Sequence, residues 1–335
     1  MTNKNEQIQA AVIGYGGAFN MGRAHGQQIN AAGMKTVMAC DIDRLRVDSA
    51  KLDFPGIRTT TDIDEVLGDK SVDLVVVILP HNLHADVAIR AAKAGKHVIV
   101  EKPMCITVAE ADAMISAAQT AGTMLSVYHN RRHDADFIAV RNLVKEGMIG
   151  DVFQMESCMG GYHKPGTWWR SSKEISGGTM FDWGAHVLDW TFHYITEEII
   201  GVDGYYQKRV WSEVTNEDHT NLTIRFKGGA TATVEQSNLA AAPKARLRML
   251  GTKGAIVQPN WDEIKVSVEH NGHIATFDAH KGQGTHDQFY KNIRDHLVDG
   301  AELDVKPEQA RRIISTIEAA EESSKLGRTV VPKYV

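Results

Sequence analysis

The sequence is poor in the features that mark secreted or membrane-spanning chains. It has three cysteines, Cys40, Cys105 and Cys158, and none stands in a CxxC pair. An odd and scattered set of cysteines excludes a disulfide framework and is typical of a reducing compartment. The longest apolar run, VDLVVVIL at residues 72–79, contains an aspartate and is too short to cross a bilayer. The N-terminal MTNKNEQIQ is polar and lacks the apolar core of a secretory signal. These absences predict a cytoplasmic protein.

Charge of one sign does not dominate the chain either. The 37 Lys and Arg residues stand against 42 Asp and Glu residues, for a formal net charge of −5, and like charges form no run. Nucleic acids and anionic membranes select for a basic face, so we expect neither as a partner. The length of 335 residues exceeds what a single core usually fills, which allows two domains.

The hydrophobic pattern divides the chain into two parts. In the first part, short strand-like runs such as Lys35–Cys40 alternate with helical patterns, and Val72–Leu79 is typical of a strand buried on both faces. This alternation predicts a doubly wound parallel sheet. In the second part, one strong helix at about Thr179–Ile195 is followed by strand-like runs, His219–Phe226 among them, separated by turn pairs such as Gly228-Gly229. That pattern favours antiparallel hairpins.

We therefore predict an α/β domain over residues 1–128 and an α+β domain over residues 129–335 with an open, mainly antiparallel sheet. A helix is expected at Pro307–Leu326, close to the end of the chain, where it can pack back on the first domain. An open sheet has to bury its uncovered face, which predicts a homodimer or homotetramer.

A glycine-rich loop follows the first predicted strand. Gly14, Gly16 and Gly17 leave room for the backbone to approach a pyrophosphate, which the N-terminus of the next helix would stabilise. The segment GYGGAFNMG is longer than the usual GxGxxG, and it adds Phe19, Asn20 and Met21 to the predicted cofactor contacts.

The second predicted strand ends at Asp41. An acidic residue at this point accepts hydrogen bonds from the adenosine ribose and repels a 2′-phosphate, so NAD is expected rather than NADP. Two alternatives stay open: Asp41 caps a turn, or the nearby Arg44 binds a 2′-phosphate.

Further candidates follow the next buried strands. In LPHNLH, Pro80 and Asn82 are expected on the nicotinamide side, because ligands bind at the carboxyl ends of parallel strands. His84 either contacts the cofactor or caps a helix. In VIVEKP, Glu101 and Lys102 are predicted cofactor contacts, and the Lys102 ammonium could also hold a substrate hydroxyl and stabilise an alkoxide. The alternative is a structural lysine paired with a carboxylate.

The segment SGGTMFDWGAHVLD contains the clearest acid–base pair. Asp182 and His186 are four residues apart, so on a helix they share one face. That face has no Lys or Glu and lies among aromatic residues, which indicates a cleft rather than a solvated surface. A histidine paired with an aspartate favours acid–base work over a core histidine. No metal site is predicted: His81/His84 and His129/His133 have helical spacing, but no cysteine joins either pair.

These motifs together resemble the glucose–fructose oxidoreductase / inositol dehydrogenase family over nearly the whole chain. The resemblance rests on the glycine loop, LPHNLHADVAIRAAKAGKHVIVEKP, the WWR at 168–170 and SGGTMFDWGAHVLD. It implies an NAD(P)-binding Rossmann domain, a C-terminal sheet often used for oligomerisation and carbohydrate-like substrates. It also implies a catalytic Lys102, with Asp182 and His186 completing the site. The lengthened glycine loop departs from the family pattern, as does Ser176 where a third glycine is frequent.

The resulting hypothesis is an NAD-dependent sugar or polyol oxidoreductase. His186 would take the proton from a substrate hydroxyl, Lys102 would stabilise the alkoxide and Asp182 would orient the substrate or the imidazole. Lys102 and His186 could exchange roles. Aromatic and planar donor groups suit sugars, so we expect further substrate contacts from His129, Arg131, His163, Trp168 and Arg170.

Two other functions remain open on the sequence. One is an NAD-dependent glycosidase, which oxidises a sugar transiently, eliminates the aglycone and returns the hydride. The other is a non-catalytic nucleotide-binding sensor, which would have no need of Lys102, Asp182 and His186 together.

Overall fold

The computed structural model describes residues 7–17, 19–242 and 244–333. The first six residues of the polar N-terminus and Ala18 of the glycine loop lie outside the described residues. No helix in the described ranges is long and apolar enough to cross a membrane. The chain divides into two compact units: one comprises residues up to His129 together with Asp287–Arg311, and the other comprises Asn130–His286 together with the residues from Arg312 onward.

The first unit contains a six-stranded parallel sheet. Its order is β3-β2-β1-β4-β5-β6, so the chain moves outward from β1 in both directions. The strands are β1 (Gln9–Ile13), β2 (Lys35–Cys40), β3 (Arg58–Thr60), β4 (Leu74–Val77), β5 (His97–Glu101) and β6 (Leu125–Tyr128). The helices are α1 (Met21–Ala31), α2 (Arg44–Asp53), α3 (Ile63–Gly68), α4 (His84–Lys93) and α5 (Val108–Ala121), joined later in the chain by α9 (Gln288–Asp299). The predicted doubly wound parallel sheet is confirmed.

Local chemistry fixes the ends of these elements. Thr107 caps α5 by accepting a hydrogen bond from the Glu110 N–H, and the Glu110 carboxylate accepts in return from the Thr107 N–H. Gly122 ends the same helix in the left-handed region, with φ 66°. All four residues of β4 are buried, as expected for a strand covered on both faces.

The second unit is built on an eight-stranded sheet of order β14-β13-β12-β11-β7-β10-β9-β8. Its strands are β7 (Val152–Gly160), β8 (Ile199–Gln207), β9 (His219–Phe226), β10 (Thr231–Ser237), β11 (Leu247–Gly251), β12 (Gly254–Gln258), β13 (Lys265–His270) and β14 (His273–Asp278). Its helices are α6 (Ala135–Lys145), α7 (Lys173–Ser176) and α8 (Trp183–Tyr194), with α10 (Pro307–Leu326) entering it at Arg312. Among the described strands of this second sheet, only β7 and β10 pair in parallel, which confirms the open, mainly antiparallel sheet.

The predicted helix at about Thr179–Ile195 is interrupted near its start. Residues Thr179–Phe181 form a 3₁₀ turn, and α8 begins only at Trp183. The reason is a competing set of hydrogen bonds: the Thr179 N–H donates to the Glu217 carboxylate over 3.1 Å, and the Thr179 hydroxyl donates to the Glu217 carbonyl oxygen over 2.6 Å. Asp182 therefore lies at the N-terminus of α8 rather than inside it.

Candidate active site

The glycine loop has the form of a pyrophosphate cradle. Gly14 has φ 91°, and a Cβ there would collide with the carbonyl oxygen of Ile78, the residue directly after β4. A Cβ at Gly22 would collide with the backbone of Tyr15, so Gly22 provides the close loop-to-helix approach that the last glycine of GxGxxG normally allows. The extra residues of the lengthened loop thus lie between Gly16 and Gly22, which correspond to the second and third glycines of GxGxxG. They include Gly17, Phe19 and Asn20, and they end at Met21, where α1 begins.

The first turn of α1 has donors to offer to an anion. Asn20 precedes the helix with φ 50°, and within the described residues its side chain makes no capping hydrogen bond. The N–H groups of a helix start carry a partial positive charge and point outward along the axis. The loop and this helix end therefore fit the diphosphate of a dinucleotide.

Asp41 is held against the glycine loop. Its Oδ2 accepts a hydrogen bond from the Gly16 N–H, and its Oδ1 accepts one from the Asp43 N–H, both over 2.9 Å. Asp41 thus caps a turn and touches the glycine loop at once, and each carboxylate oxygen retains a lone pair for a ribose hydroxyl. Arg44 opens α2, and Arg46, which the sequence argument did not single out, lays its side chain against Gly16. The only sequence signal for Arg46 is its position on α2, and that helix was not predicted from the sequence.

The loop after β4 joins the turn after β5 through His84. Pro80 leads into a 3₁₀ turn that contains Asn82, and His84 is the first residue of α4. The buried imidazole of His84 has its Nδ1 2.8 Å from the Pro103 carbonyl oxygen and its Nε2 2.8 Å from the Leu79 carbonyl oxygen. Burial lowers the pKa of His84, against the opposing effect of these two bonds. The ring is thus engaged with main-chain atoms.

Lys102 follows directly on β5, and Glu101 before it is held by a buried histidine. Glu101 Oε1 lies 3.0 Å from His25 Nε2, and Glu101 Oε2 accepts a hydrogen bond from the Lys102 N–H over 2.9 Å. Burial alone would raise the pKa of Glu101, but the bond to His25 and the charges nearby outweigh it and lower that pKa. His25 Nδ1 in turn lies 2.6 Å from the Tyr290 hydroxyl. His25 and Tyr290 were not predicted as site residues, because neither stands in a motif.

Asp182, Arg170 and Trp168 come together in the second unit. Arg170 Nη1 donates a hydrogen bond to Asp182 Oδ1 over 3.1 Å, and the Arg170 guanidinium carbon lies 5.5 Å from the centre of a Trp168 ring. The Asp182 side chain is 44% exposed, and Trp168 is 40% exposed. A carboxylate, a planar cation and an accessible aromatic ring are the groups that contact sugar hydroxyls and sugar faces.

His186 lies in the first turn of α8 and is only 5% exposed. Its ring centre is 5.5 Å from that of Trp183. Arg131 covers the same indole, with its guanidinium carbon 4.6 Å from the ring centre, and it also donates to Asp134 over 2.7 Å. Within this unit the structure thus brings His186 and Arg131 to the same indole, that of Trp183, which directly follows Asp182 in the chain.

The remaining predicted substrate residues are His129 and His163. His129 is buried at the end of the first unit, and His163 is exposed, with its backbone N–H donating to the Asn238 carbonyl oxygen. One turn beyond His186, Asp189 accepts two hydrogen bonds from Arg132, of 2.9 and 2.6 Å, and both side chains are almost fully buried. Asp189 of α8 therefore belongs to a buried structural ion pair.

A strand, a glycine cradle, an uncapped helix start and an acidic residue at the end of β2 define a dinucleotide-binding Rossmann unit, here followed by a unit with a mixed sheet. Comparison with known families agrees with this class. Residues 8–129 match the model described as oxidoreductase family, NAD-binding Rossmann fold, and residues 137–257 match the GFO/IDH/MocA C-terminal domain. The chain belongs to this GFO/IDH/MocA oxidoreductase family, as the sequence motifs predicted.

Individual relatives cover most of the chain. A scyllo-inositol 2-dehydrogenase (NADP(+)) of Bacillus subtilis is 27% identical over 99% of this chain and 98% of its own. A 2,7-anhydro-N-acetylneuraminate hydratase of Escherichia coli is 29% identical over 72% of this chain and 66% of its own. The crystal structure of an NAD-binding protein from Listeria innocua, 28% identical, matches with a TM-score of 0.85 over 98% of this chain and 97% of that chain.

Proposed function

We propose that the protein is an NAD-dependent dehydrogenase that oxidises a hydroxyl-bearing carbon of a sugar, polyol or sugar derivative. The observation that carries this proposal is the accessible Asp182 carboxylate, which pairs with Arg170 at the N-terminus of α8, the helix whose first turn contains the buried His186. This arrangement offers an acid–base group next to groups that bind hydroxyls. A relative named scyllo-inositol 2-dehydrogenase supports a polyhydroxylated ring as the substrate.

Each group has a distinct role in the proposed reaction. His186 takes the proton from the substrate hydroxyl, and the Lys102 ammonium stabilises the negative charge that develops on that oxygen. Asp182 orients the substrate or the imidazole. Bound nicotinamide supplies the acceptor for the hydride that leaves the carbon. Loss of one proton and one hydride converts the alcohol to a carbonyl, and the two roles of Lys102 and His186 can be exchanged without changing this balance.

The substrate is proposed to meet several side chains besides these. Trp168 offers an accessible ring face, and Arg170 offers planar donors. Arg131, His129 and His163 are proposed as further contacts with hydroxyls.

We further propose NAD as the preferred cofactor. Asp41 brings a negative charge to the glycine loop, where it would repel the 2′-phosphate of NADP. Replacing Asp41 by Ser is expected to narrow the preference for NAD, measured as the ratio of the two dissociation constants, by about tenfold. An unchanged ratio would assign the selectivity to Arg44 or Arg46 instead.

The test of the activity is the near-ultraviolet absorbance of reduced nicotinamide. The protein is incubated with excess NAD and a panel of sugars, inositols and glycosides, and Lys102→Met serves as the matched control. Accumulation of signal with one substrate group, absent in the control, supports the dehydrogenase and gives its substrate class. Silence across the panel, with NAD binding intact, counts against net oxidation.

A redox-neutral reaction is the second candidate. It is favoured by the relative named as a hydratase, since hydration changes no net oxidation state. The same groups could serve a glycosidase that returns the hydride within each cycle. Such an enzyme would release aglycone in the reactions that show no change in absorbance. Binding of NAD without either product would instead indicate the sensor.

We also propose that the chain forms a homodimer or homotetramer. The half-buried polar residues of β9 and β10, such as Asn221 and Thr233, alternate with fully buried ones, which leaves one sheet face available to a second copy. Light scattering of the purified protein measures the oligomer directly, and a monomer at micromolar concentration would refute the proposal.

A further inference from the structure

Two buried histidines bond to the turn that carries Lys102, one on each side of it in the sequence. His25 contacts the side chain of Glu101, and His84 contacts the carbonyl oxygen of Pro103. Both imidazoles are completely shielded from solvent. Neither histidine has a part in the proposed chemical step, so their burial at this turn needs another reason.

A continuous chain of hydrogen bonds leads to Lys102 through His25. The Tyr290 phenol keeps its proton, because burial raises its pKa well above the ordinary value. Its hydroxyl can therefore donate to His25 Nδ1 over 2.6 Å, which leaves the Nε2–H to donate to Glu101 Oε1 over 3.0 Å. The other Glu101 oxygen accepts from the Lys102 N–H. One N–H on the His25 ring, at Nε2, is thus enough to complete this series of hydrogen bonds.

The second histidine, His84, contacts the turn at Pro103, on the other side of Lys102. A carbonyl oxygen can only accept, so either 2.8 Å contact of His84 is a hydrogen bond only while that ring nitrogen carries a proton. The neutral ring supplies one N–H at a time. The ring therefore donates either to the Pro103 carbonyl oxygen, directly after Lys102, or to the Leu79 carbonyl oxygen in the loop after β4, and it packs against both.

We propose that His25 and His84 are positioning residues for Lys102, which fix the main chain on either side of it so that its ammonium meets the substrate oxygen in one place. This inference rests on the proposed function of Lys102. A lysine side chain has four rotatable bonds, so its head group is placed reproducibly only if its backbone is fixed. A misplacement of about 1 Å can cost about 100-fold in rate.

The charges around Glu101 set the expected effect of losing His25. The titratable groups that face this carboxylate are His25, Lys102, His84, Tyr128 and Tyr290. Without the His25 donor, burial favours the protonated form of Glu101. The carboxylate that holds the Lys102 N–H then loses its anchor, so the main chain at Lys102 is held less firmly and its amine is expected to react more readily with an acylating reagent.

This consequence can be measured without any substrate. Lys102 is acetylated with limiting acetic anhydride, its rate is read from peptide mass spectrometry, and the exposed Lys70 is the internal reference. In His25→Leu the relative rate at Lys102 is expected to rise at least about threefold. In His25→Gln, whose amide can still donate to Glu101, it is expected to stay within about twofold of the wild-type rate.

Tyr290→Phe provides a milder variant if His25→Leu does not fold, because it removes only the hydroxyl. It is expected to shift the relative rate in the same direction by a smaller factor. For His84→Ala, faster hydrogen exchange is expected in the peptide that contains Lys102. Wild-type rates in folded His25→Leu and Tyr290→Phe, with unchanged exchange in His84→Ala, would overturn the proposal.

Turnover separates this inference from the proposed function. If the wild type oxidises a sugar, His25→Leu and His84→Ala are expected to lower kcat by about 10- to 100-fold with a much smaller change in NAD affinity, and His25→Gln is expected to recover most of it. A wild type without turnover would refute the proposed function alone, because the acetylation and exchange results would still decide the role of the histidines.

Discussion

The two segments that carry the proposed catalytic groups are anchored in different ways. The turn with Lys102 is held by hydrogen bonds from buried histidines, whereas the helix with His186 is held by the buried Arg132–Asp189 ion pair. Removing one partner of a buried hydrogen bond costs about 1–3 kcal/mol in stability, whereas removing one partner of a buried ion pair costs about 3–5 kcal/mol. Substitutions around Lys102 should therefore affect turnover more than folding, and substitutions around the ion pair should do the reverse.

The largest effect is expected from removing the reacting groups themselves. Lys102→Met and His186→Ala should each lower kcat by about 1000-fold or more, because each removes a group that acts on the substrate oxygen. The measurement is steady-state oxidation of the substrate found in the absorbance panel.

The matched control for these two variants is NAD binding, followed by fluorescence or calorimetry. It should remain near the wild-type value, since neither group is needed to hold the adenosine half of the cofactor. Near-normal turnover in either variant would remove that residue from the mechanism.

The next effect tests the ion pair. Asp189→Asn keeps the volume of the side chain but removes the charge opposite Arg132, and it should lower the free energy of unfolding by about 3–5 kcal/mol. Urea unfolding followed by tryptophan fluorescence measures this loss. Glu156→Gln breaks the Arg248–Glu156 pair in the same unit, where both side chains are over 40% exposed, and should change stability by less than about 1 kcal/mol. Equal losses of stability in Asp189→Asn and Glu156→Gln would contradict the distinction between a buried and an exposed ion pair.

The sequence could predict the elements that depend on local patterns, but not the features that depend on contacts with distant residues. Strands β2 and β9 and helix α10 have the predicted bounds, because each carries a regular pattern of buried residues. Helices α2 and α3 were not predicted, since they bury few side chains and their patterns are weak. The sequence also contained no break signal at Asp182, because the bonds that hold Thr179 come from Glu217, which lies 38 residues away.

The types of residue at the site were readable for a similar reason. Lys102, Asp182 and His186 stand in short motifs, so local spacing was enough to select them. Their supporting partners come from distant parts of the chain: His25 and Tyr290 are 265 residues apart, and Arg132 and Asp189 are 57 apart. Only the folded backbone brings such pairs together, and a single sequence gives no signal for them.

A substitution beside the glycine loop tests cofactor binding separately from both catalytic segments. Gly22→Ala forces a Cβ against the backbone of Tyr15, so the glycine loop has to shift away from α1. NAD affinity should fall by about tenfold, while the acetylation rate of Lys102 stays unchanged. Gly68→Ala is the control, because a Cβ there meets nothing within 4 Å. Its NAD affinity should match the wild type, and an equal loss in both variants would contradict the cradle.

The smallest effect is a difference in acid sensitivity between the two units. His84 and His97 are both in the first unit, and burial lowers the pKa of each below the ordinary 6.5. The unfolded chain therefore binds these protons more readily than the folded unit, and stability falls as the pH drops below 6.5. All six tryptophans lie in the second unit, so their fluorescence reports that unit, whereas far-ultraviolet circular dichroism reports both.

Between about pH 7.5 and about pH 5.5, the transition temperature of the first unit should fall by at least a few degrees. Circular dichroism should then show a step that fluorescence lacks. His97→Gln, which leaves no proton to bind at this position, should reduce the shift. Coincident transitions by both probes at every pH would mean that the two units unfold together, and the different anchoring of Lys102 and His186 would then have no counterpart in stability.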